Sequence, residues 1–188
     1  MGVAALKRAV FFDRDGVLNE ALVRAGVPHP PASVADLHVA AGAADVVRAV
    51  RGAGWLAIVV TNQPDVARGA TTLERVDAIN AEIVERLGVD AIYTCPHDDA
   101  DGCDCRKPKP GLLQRAARDH GIDLAASFLI GDRAKDVACG RAAGCTTIFL
   151  DHGYAETRDN PGADHTVKTL KEAANVVLSA ANVVEGAR

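Results

Sequence analysis

At 188 residues, 48% of them apolar and 24% charged, the chain has the size and composition of one globular domain, 1–188, and not of a disordered or fibrous protein. Its net charge of -4 argues against nucleic acid as a partner. The opening MGVAALKRAVFFDRDG has an apolar run too short for a bilayer, no small-residue cleavage site and no Ser or Thr for myristoylation, so we expect a cytoplasmic monomer that touches no membrane.

Taken in chain order, short apolar runs alternate with helical periods. The runs Ala9–Asp13, Leu56–Thr61, Ala91–Thr94, Phe128–Ile130 and Thr147–Leu150 read as strands covered on both faces, because they are nearly continuous rather than alternating. Thr71-Thr72-Leu73-Glu74 reads as a capping box for a helix that carries Leu73, Val76, Ile79, Ile83, Val84 and Leu87 inward and stops at Gly88. Pro110 opens a second helix to His120, a third covers Lys135–Ala143, Arg158–His165 reads as a surface loop, and a last helix runs from Thr169-Leu170-Lys171-Glu172 to about Asn182. This alternation predicts an α/β fold: a Rossmann-like, three-layer α/β/α core with a mostly parallel sheet and its site beyond the carboxyl ends of the strands. The stretch Gly16–Trp55 leaves room for a loop and one helix, hence no large cap domain.

Polar residues cluster where the strands end. Asp13 and Asp15 follow AVFF, Thr61 and Asn62 follow LAIVV, and Asp132 and Asp136 follow FLI. DRDG alone is also compatible with a turn or with the start of a calcium loop, but a calcium loop would need ligands where Val17 and Arg24 stand. Gly52-Ala53-Gly54-Trp55-Leu56-Ala57 spells a dinucleotide-like G-x-G-x-x-A but precedes a strand instead of following one, so it is set aside.

A carboxylate can attack phosphorus and split hydrolysis into two displacements, provided cations offset the crowded charge. Mg²⁺ suits a site made of Asp13, the Asp15 carbonyl and Asp132, and Lys107 is the candidate for a second positive charge. Four ordered segments, DRDGVLN, VVTNQ, CRKPKPG and GDRAKD, resemble the motifs of the haloacid dehalogenase (HAD) superfamily over Ala9–Leu150. The resemblance implies that Asp13 is the nucleophile and Asp15 the acid and then the base. It also implies that Thr61 binds phosphoryl oxygens, that Lys107 stabilises nucleophile and phosphate, that Asp132 completes the magnesium site and that Asp136 lies behind it.

Five cysteines, three of them within eleven residues, point to metal binding in a reducing compartment. Cys95, His97, Cys103 and Cys105 supply enough ligands for a closed tetrahedral zinc site, and the pattern followed by CRKP is similar to zinc-containing phosphatases of the heptose bisphosphate and histidinol phosphate groups. That likeness implies a structural Zn²⁺ that holds the loop carrying Arg106 and Lys107, whereas Cys139 and Cys145 read as small buried apolar residues. Gln63–Gly69, QPDVARG, resembles the heptose 1,7-bisphosphate 7-phosphatases, with Pro64-Asp65 in place of their Ser-Gly. The expected partner is thus a small phosphorylated sugar that loses its 7-phosphate. Asn62, Gln63, Arg68, Arg106 and Arg133 are the expected contacts, the arginines serving the second phosphate. A histidinol-phosphate phosphatase, another small phosphomonoesterase, a sugar phosphomutase and a zinc-stabilised binding module are the alternatives. Lys109, Lys135 and five histidines (His29, His38, His120, His152, His165) read as solvated residues, and Asp98, Asp99 and Asp101 as the solvated tip of the zinc loop.

Overall fold

Strand β1 (Arg8–Phe12) lies in the middle of a parallel sheet, and the chain builds outward from it in both directions. The computed structural model describes residues 6–24, 27–153 and 162–185. After β1 come a small hairpin, β2 (Leu22–Arg24) and β3 (Val27–His29), a 3-10 turn at Val34–Asp36 and helix α1 (Ala43–Gly52). Strand β4 (Trp55–Asn62), helix α2 (Leu73–Leu87) and strand β5 (Ala91–Cys95) complete one side of the sheet. The chain then crosses back through helix α3 (Gly111–His120) to β6 (Phe128–Gly131), α4 (Ala134–Ala143), β7 (Thr146–Leu150), β8 (His165–Val167) and α5 (Leu170–Glu185).

The sheet order is β5-β4-β1-β6-β7-β8, with all five pairings parallel. Because the direction of winding reverses at β1, the crevice beyond its carboxyl end is where such folds bind ligands. Val10 and Phe12 pack on one face with residues of α1, α2 and α5, such as Val47, Ile83 and Ala173. Ala9 and Phe11 pack on the other with Leu112 and Leu113 of α3 and Cys139 of α4. Alternation along one strand thus explains why it needs apolar residues at every position, and the result is the expected three-layer α/β/α core. Cys139 and Cys145 belong to that second core and are buried.

Four details differ from the sequence-based expectations. The cap of α2 is Thr72, whose side chain accepts from the Arg75 amide, so the cap lies one residue later than expected and is a single hydrogen bond instead of a box. Leu73 and Val84 are each 43% exposed, leaving Val76, Ile79, Ile83 and Leu87 as the packed stripe. The hairpin β2/β3 had no sequence signal, since strands of three residues are too short to show a period. In the stretch expected as a loop, residues 158–161 lie outside those described, and His165 opens β8 instead. Among the described residues no helix is long and apolar enough to cross a membrane.

Candidate active site and metal centres

The turn after β1 is pinned by its own sequence. Val17 and Leu18 are buried, and the amides of residues 17, 18 and 19 all donate to the Arg14 carbonyl, at 3.4, 2.9 and 3.1 Å. Gly16 holds φ +89°, and a Cβ there would overlap the Asp132 carboxylate, so the residue after the second aspartate must be glycine for β1 and β6 to bring their carboxylates together. Gly131 plays the same part for Asp136, whose side chain occupies the space a Cβ would need.

Asp13, Asp132 and Asp136 place carboxylate oxygens within 4.8 Å of one another, and all three residues are buried. The Lys107 ammonium lies 2.7 Å from Asp13 Oδ1, 2.6 Å from Asp136 Oδ1 and 2.9 Å from the Val60 carbonyl that accepts from it. Burial raises the Asp13 carboxyl to about 6, Lys107 working against it and Asp136 and Asp15 with it. Burial, then the charges of Asp13 and Asp136, raise Asp132 well above the ordinary carboxylate range. For Lys107 burial disfavours the charge, but the paired carboxylates outweigh it and hold the ammonium protonated. Both Asp132 carboxylate oxygens are buried without a hydrogen-bond partner. A hard divalent cation bound there would satisfy those oxygens and offset the surplus negative charge, so these residues fit Mg²⁺.

Asp15 points elsewhere. Its carboxylate accepts from Arg14 Nε and Nη2 at 3.2 and 3.0 Å, from Asn19 Nδ2 at 3.0 Å and from Gln63 Nε2 at 2.7 Å. Arg14 is fully buried, and its Nη1 reaches 2.8 Å across to Asn80 Oδ1 in α2, while Asn80 Nδ2 donates to Thr94 Oγ1 on β5 at 3.1 Å. Gln63 also donates to Thr61 Oγ1 at 2.8 Å, and Asn62 holds the Lys107 backbone through both ends of its amide, at 3.0 and 3.1 Å. The amides expected to meet substrate are therefore committed to positioning Asp15, Thr61 and Lys107.

Cys95, His97, Cys103 and Cys105 also converge within 4.8 Å. Their ligand atoms are separated by 3.7 Å (Cys95 to His97 and to Cys103), 3.3 Å (His97 to Cys105), 3.1 Å (Cys95 to Cys105) and 3.4 Å (Cys103 to Cys105). The edges of a tetrahedron around zinc are roughly 3.6–3.8 Å for Zn–S and Zn–N bonds of ordinary length, so the donor set and its spacing fit zinc. Arg106 leaves this knot with Nη1 on the His97 carbonyl (3.2 Å) and Nε on Asp99 (2.6 Å). Lys109 closes the loop by donating to the carbonyls of Gly102 and Cys103 at 3.0 and 2.7 Å, and a Cβ on Gly111 would strike the Asp104 carbonyl.

The reading of Asp98 as solvated loop tip is corrected. It caps a 3-10 turn at Asp99–Asp101 and grips Arg68 with both oxygens, at 2.7 and 2.8 Å, because a planar guanidinium matches a carboxylate edge. That fork lowers the Asp98 carboxyl to about 2.

A cavity of about 270 Å³ opens over Asp13, walled by Thr61, Asn62, Arg68, Arg106 and Arg133 among others. Five cations, the fourth and fifth being Lys107 and Lys135, face three carboxylates, Asp13, Asp15 and Asp65, so the cavity favours anions. Three residues read from the sequence as solvated line the cavity or contact its loops instead. His29 and Lys135 line the cavity, and His152 Nε2 lies 2.6 Å from the Gly16 carbonyl, which can only accept, so that nitrogen carries the proton. His152 follows a strand in LDHGY, the one hint available.

A parallel sheet reversing at β1, paired aspartates at its end, and a lysine and further aspartates from β6 and its neighbours define a hydrolase of the HAD type, and residues 104–173 match the HAD-hydrolase-like family model. A D-glycero-D-manno-heptose-1,7-bisphosphate 7-phosphatase of Thermosynechococcus vestitus is 35% identical over 79% of this chain and 81% of its own length. The D-glycero-beta-D-manno-heptose-1,7-bisphosphate 7-phosphatase of Pseudomonas putida is 31% identical over 90% and 97%. Among solved structures, the D,D-heptose 1,7-bisphosphate phosphatase of B. bronchiseptica, complexed with magnesium and phosphate, superposes with a TM-score of 0.80 at 28% identity, covering 92% of this chain and 98% of that one. The chain belongs to this family of HAD phosphatases and is a phosphoric monoester hydrolase.

Proposed function

We propose that the protein removes the 7-phosphate of D-glycero-D-manno-heptose 1,7-bisphosphate, with Mg²⁺ at Asp13, the Asp15 carbonyl and Asp132, Asp136 lying behind them, and Zn²⁺ at Cys95, His97, Cys103 and Cys105. The observation that carries the chemistry is the Lys107 ammonium wedged between Asp13 and Asp136 at the floor of a cation-lined cavity. The family members named for this bisphosphate support the substrate.

In the first displacement an Asp13 carboxylate oxygen attacks phosphorus. The bond from phosphorus to the sugar O7 breaks, and protonated Asp15 gives its proton to the departing alkoxide. In the second, water attacks the phosphorus of the aspartyl-phosphate, Asp15 takes the proton, and inorganic phosphate leaves with Asp13 restored. Lys107 balances the charge on Asp13 and on the phosphoryl oxygens, and Thr61 hydrogen-bonds the latter. Mg²⁺, when bound, supplies the positive charge that lets a phosphate approach three carboxylates. Gln63 and Arg14 hold Asp15 beside, and not inside, the carboxylate cluster, which fixes its carboxyl group next to the reacting atoms.

The decisive experiment compares kcat/KM for heptose 1,7-bisphosphate and histidinol phosphate with Mg²⁺ present. Preference for the former with no turnover by Asp13→Asn is expected; preference for histidinol phosphate overturns the substrate, and an active Asp13→Asn overturns the nucleophile.

A further inference from the structure

The cations of this cavity differ in whether the folded chain itself already engages them, as it does Lys107, Arg68, Arg106 and Arg133. Lys107 is committed to Asp13 and Asp136. Arg68 is held by both oxygens of Asp98 and by Asp65 at 3.4 Å. Arg106 spends its guanidinium on Asp99 and the His97 carbonyl. Lys135 lines the same cavity, is only partly exposed, and makes no hydrogen bond or ion pair with any described residue.

Its position in the fold sharpens the contrast. Lys135 is the second residue of α4, at the helix end where the macrodipole favours anions and a cation is placed at a cost. Asp136, next along, would be the natural partner for a cation there, but its carboxylate oxygens are turned to Lys107 and to the Arg133 amide (3.1 Å). A cation held against the dipole, half-buried and without a hydrogen bond or ion pair, keeps only the more distant attraction of Asp136 and Asp13. It gains a direct partner when a phosphate enters.

We propose that Lys135 is the specificity-determining cation for the phosphate that is not cleaved. The transferred group already has Lys107 and the carboxylate-bound metal beneath it, whereas the second phosphate of a bisphosphate must find its charge partner on the cavity wall. Arg68 and Arg106 shape that wall from the side of the zinc loop, and Lys135 supplies the uncommitted ammonium from the helix side. This assignment rests on the bisphosphate reading above and gives the enzyme a means of preferring a bisphosphate to a monophosphate.

The test uses the full chain with both metals and two inhibitors that separate the two phosphate positions. Heptose 1-phosphate, the product, carries only the uncleaved phosphate; inorganic phosphate occupies the cleavage position. In Lys135→Met the inhibition constant of the heptose 1-phosphate should rise about tenfold, as expected for losing one charge-assisted contact. That of inorganic phosphate should rise at least threefold less, and Lys135→Arg should restore most of the loss. The melting temperature of Lys135→Met should equal or exceed that of the parent, because a cation is removed from a helix N-terminus. An unchanged product constant, equal losses for both inhibitors, or a lower melting temperature would each overturn the proposal. Failure of the parent enzyme to hydrolyse the heptose bisphosphate would instead overturn the substrate reading itself.

Discussion

Replacing Asn80 with leucine tests whether the buried arginine between the two catalytic aspartates works as a strut. The side chains share the same branched skeleton of heavy atoms, but two contacts vanish: the 2.8 Å bond from Arg14 Nη1 and the 3.1 Å bond to Thr94. Arg14 is 0% exposed, so water cannot replace the lost acceptor. A hydrogen bond to a buried charged group contributes about 1.5–3 kcal/mol and a neutral one about 1 kcal/mol, giving a loss of about 2–4 kcal/mol. For a domain of this size that corresponds to a melting temperature lower by about 5–15 °C. Activity carries the sharper signal. Arg14 grips Asp15 with its other two nitrogens, so freeing Nη1 loosens the group that protonates the leaving oxygen. A sugar alkoxide needs that proton and p-nitrophenolate does not. We therefore expect kcat/KM of Asn80→Leu to fall about tenfold on the heptose phosphate and at most about threefold on p-nitrophenyl phosphate. Equal losses on the two substrates would show that Asn80 does not act through Asp15, and a stability change under about 0.5 kcal/mol in urea unfolding would show that the strut bears no load.

Cys103→Ser should remove zinc, measured by metal analysis, and lower melting by about 10 °C together with activity, since the knot carries Arg106 and Lys107; a zinc-free native protein would refute this. Gly16→Ala should cost about 1–2 kcal/mol in backbone strain and cut kcat by at least about 100-fold, because the new methyl displaces Asp132; near-normal Mg²⁺ affinity by calorimetry would contradict it. Asp13, raised by burial from its ordinary 3.8 to about 6, binds a proton in the folded metal-free protein that the unfolded chain has already lost, so metal-free stability falls as pH rises through that window. Mg²⁺ should reverse this and release at least about half a proton per site at pH 6, since Asp132 is raised as well, and fewer at higher pH, read from the buffer dependence of the binding enthalpy; no buffer dependence at pH 6 would refute it.

Five of the six strands of the main sheet and the polar residues at their ends were legible because both are local. An unbroken apolar run such as LAIVV marks a strand covered on two faces, and a parallel sheet necessarily gathers the ends of such runs. The four zinc-type ligands were legible for the same reason, all lying within eleven residues. What escaped is set by distant partners. Nothing in DRDG reveals that its arginine is buried against a residue 66 positions away, or that Asp98 is a clamp on Arg68, 30 positions earlier. Asn62 and Gln63 stand where substrate contacts belong, yet the side chains are consumed by Lys107 and Asp15, which only the folded register decides. The one-residue slip at Thr72 arose because either of two adjacent threonines could cap α2.

The crossover from β5 to β6 leads past two intervening strands, β4 and β1, a path of roughly 14 Å at ordinary strand spacing. It carries the metal knot and then Lys107, which touches Asp13 at the end of β1, Asp136 in α4 and the Val60 carbonyl of β4. The two halves of the sheet are thus joined, over the reacting atoms, by one ammonium group. No contiguous half of the chain contains the catalytic set, so phosphatase activity in a refolding experiment would be a readout of the last event and not of the first.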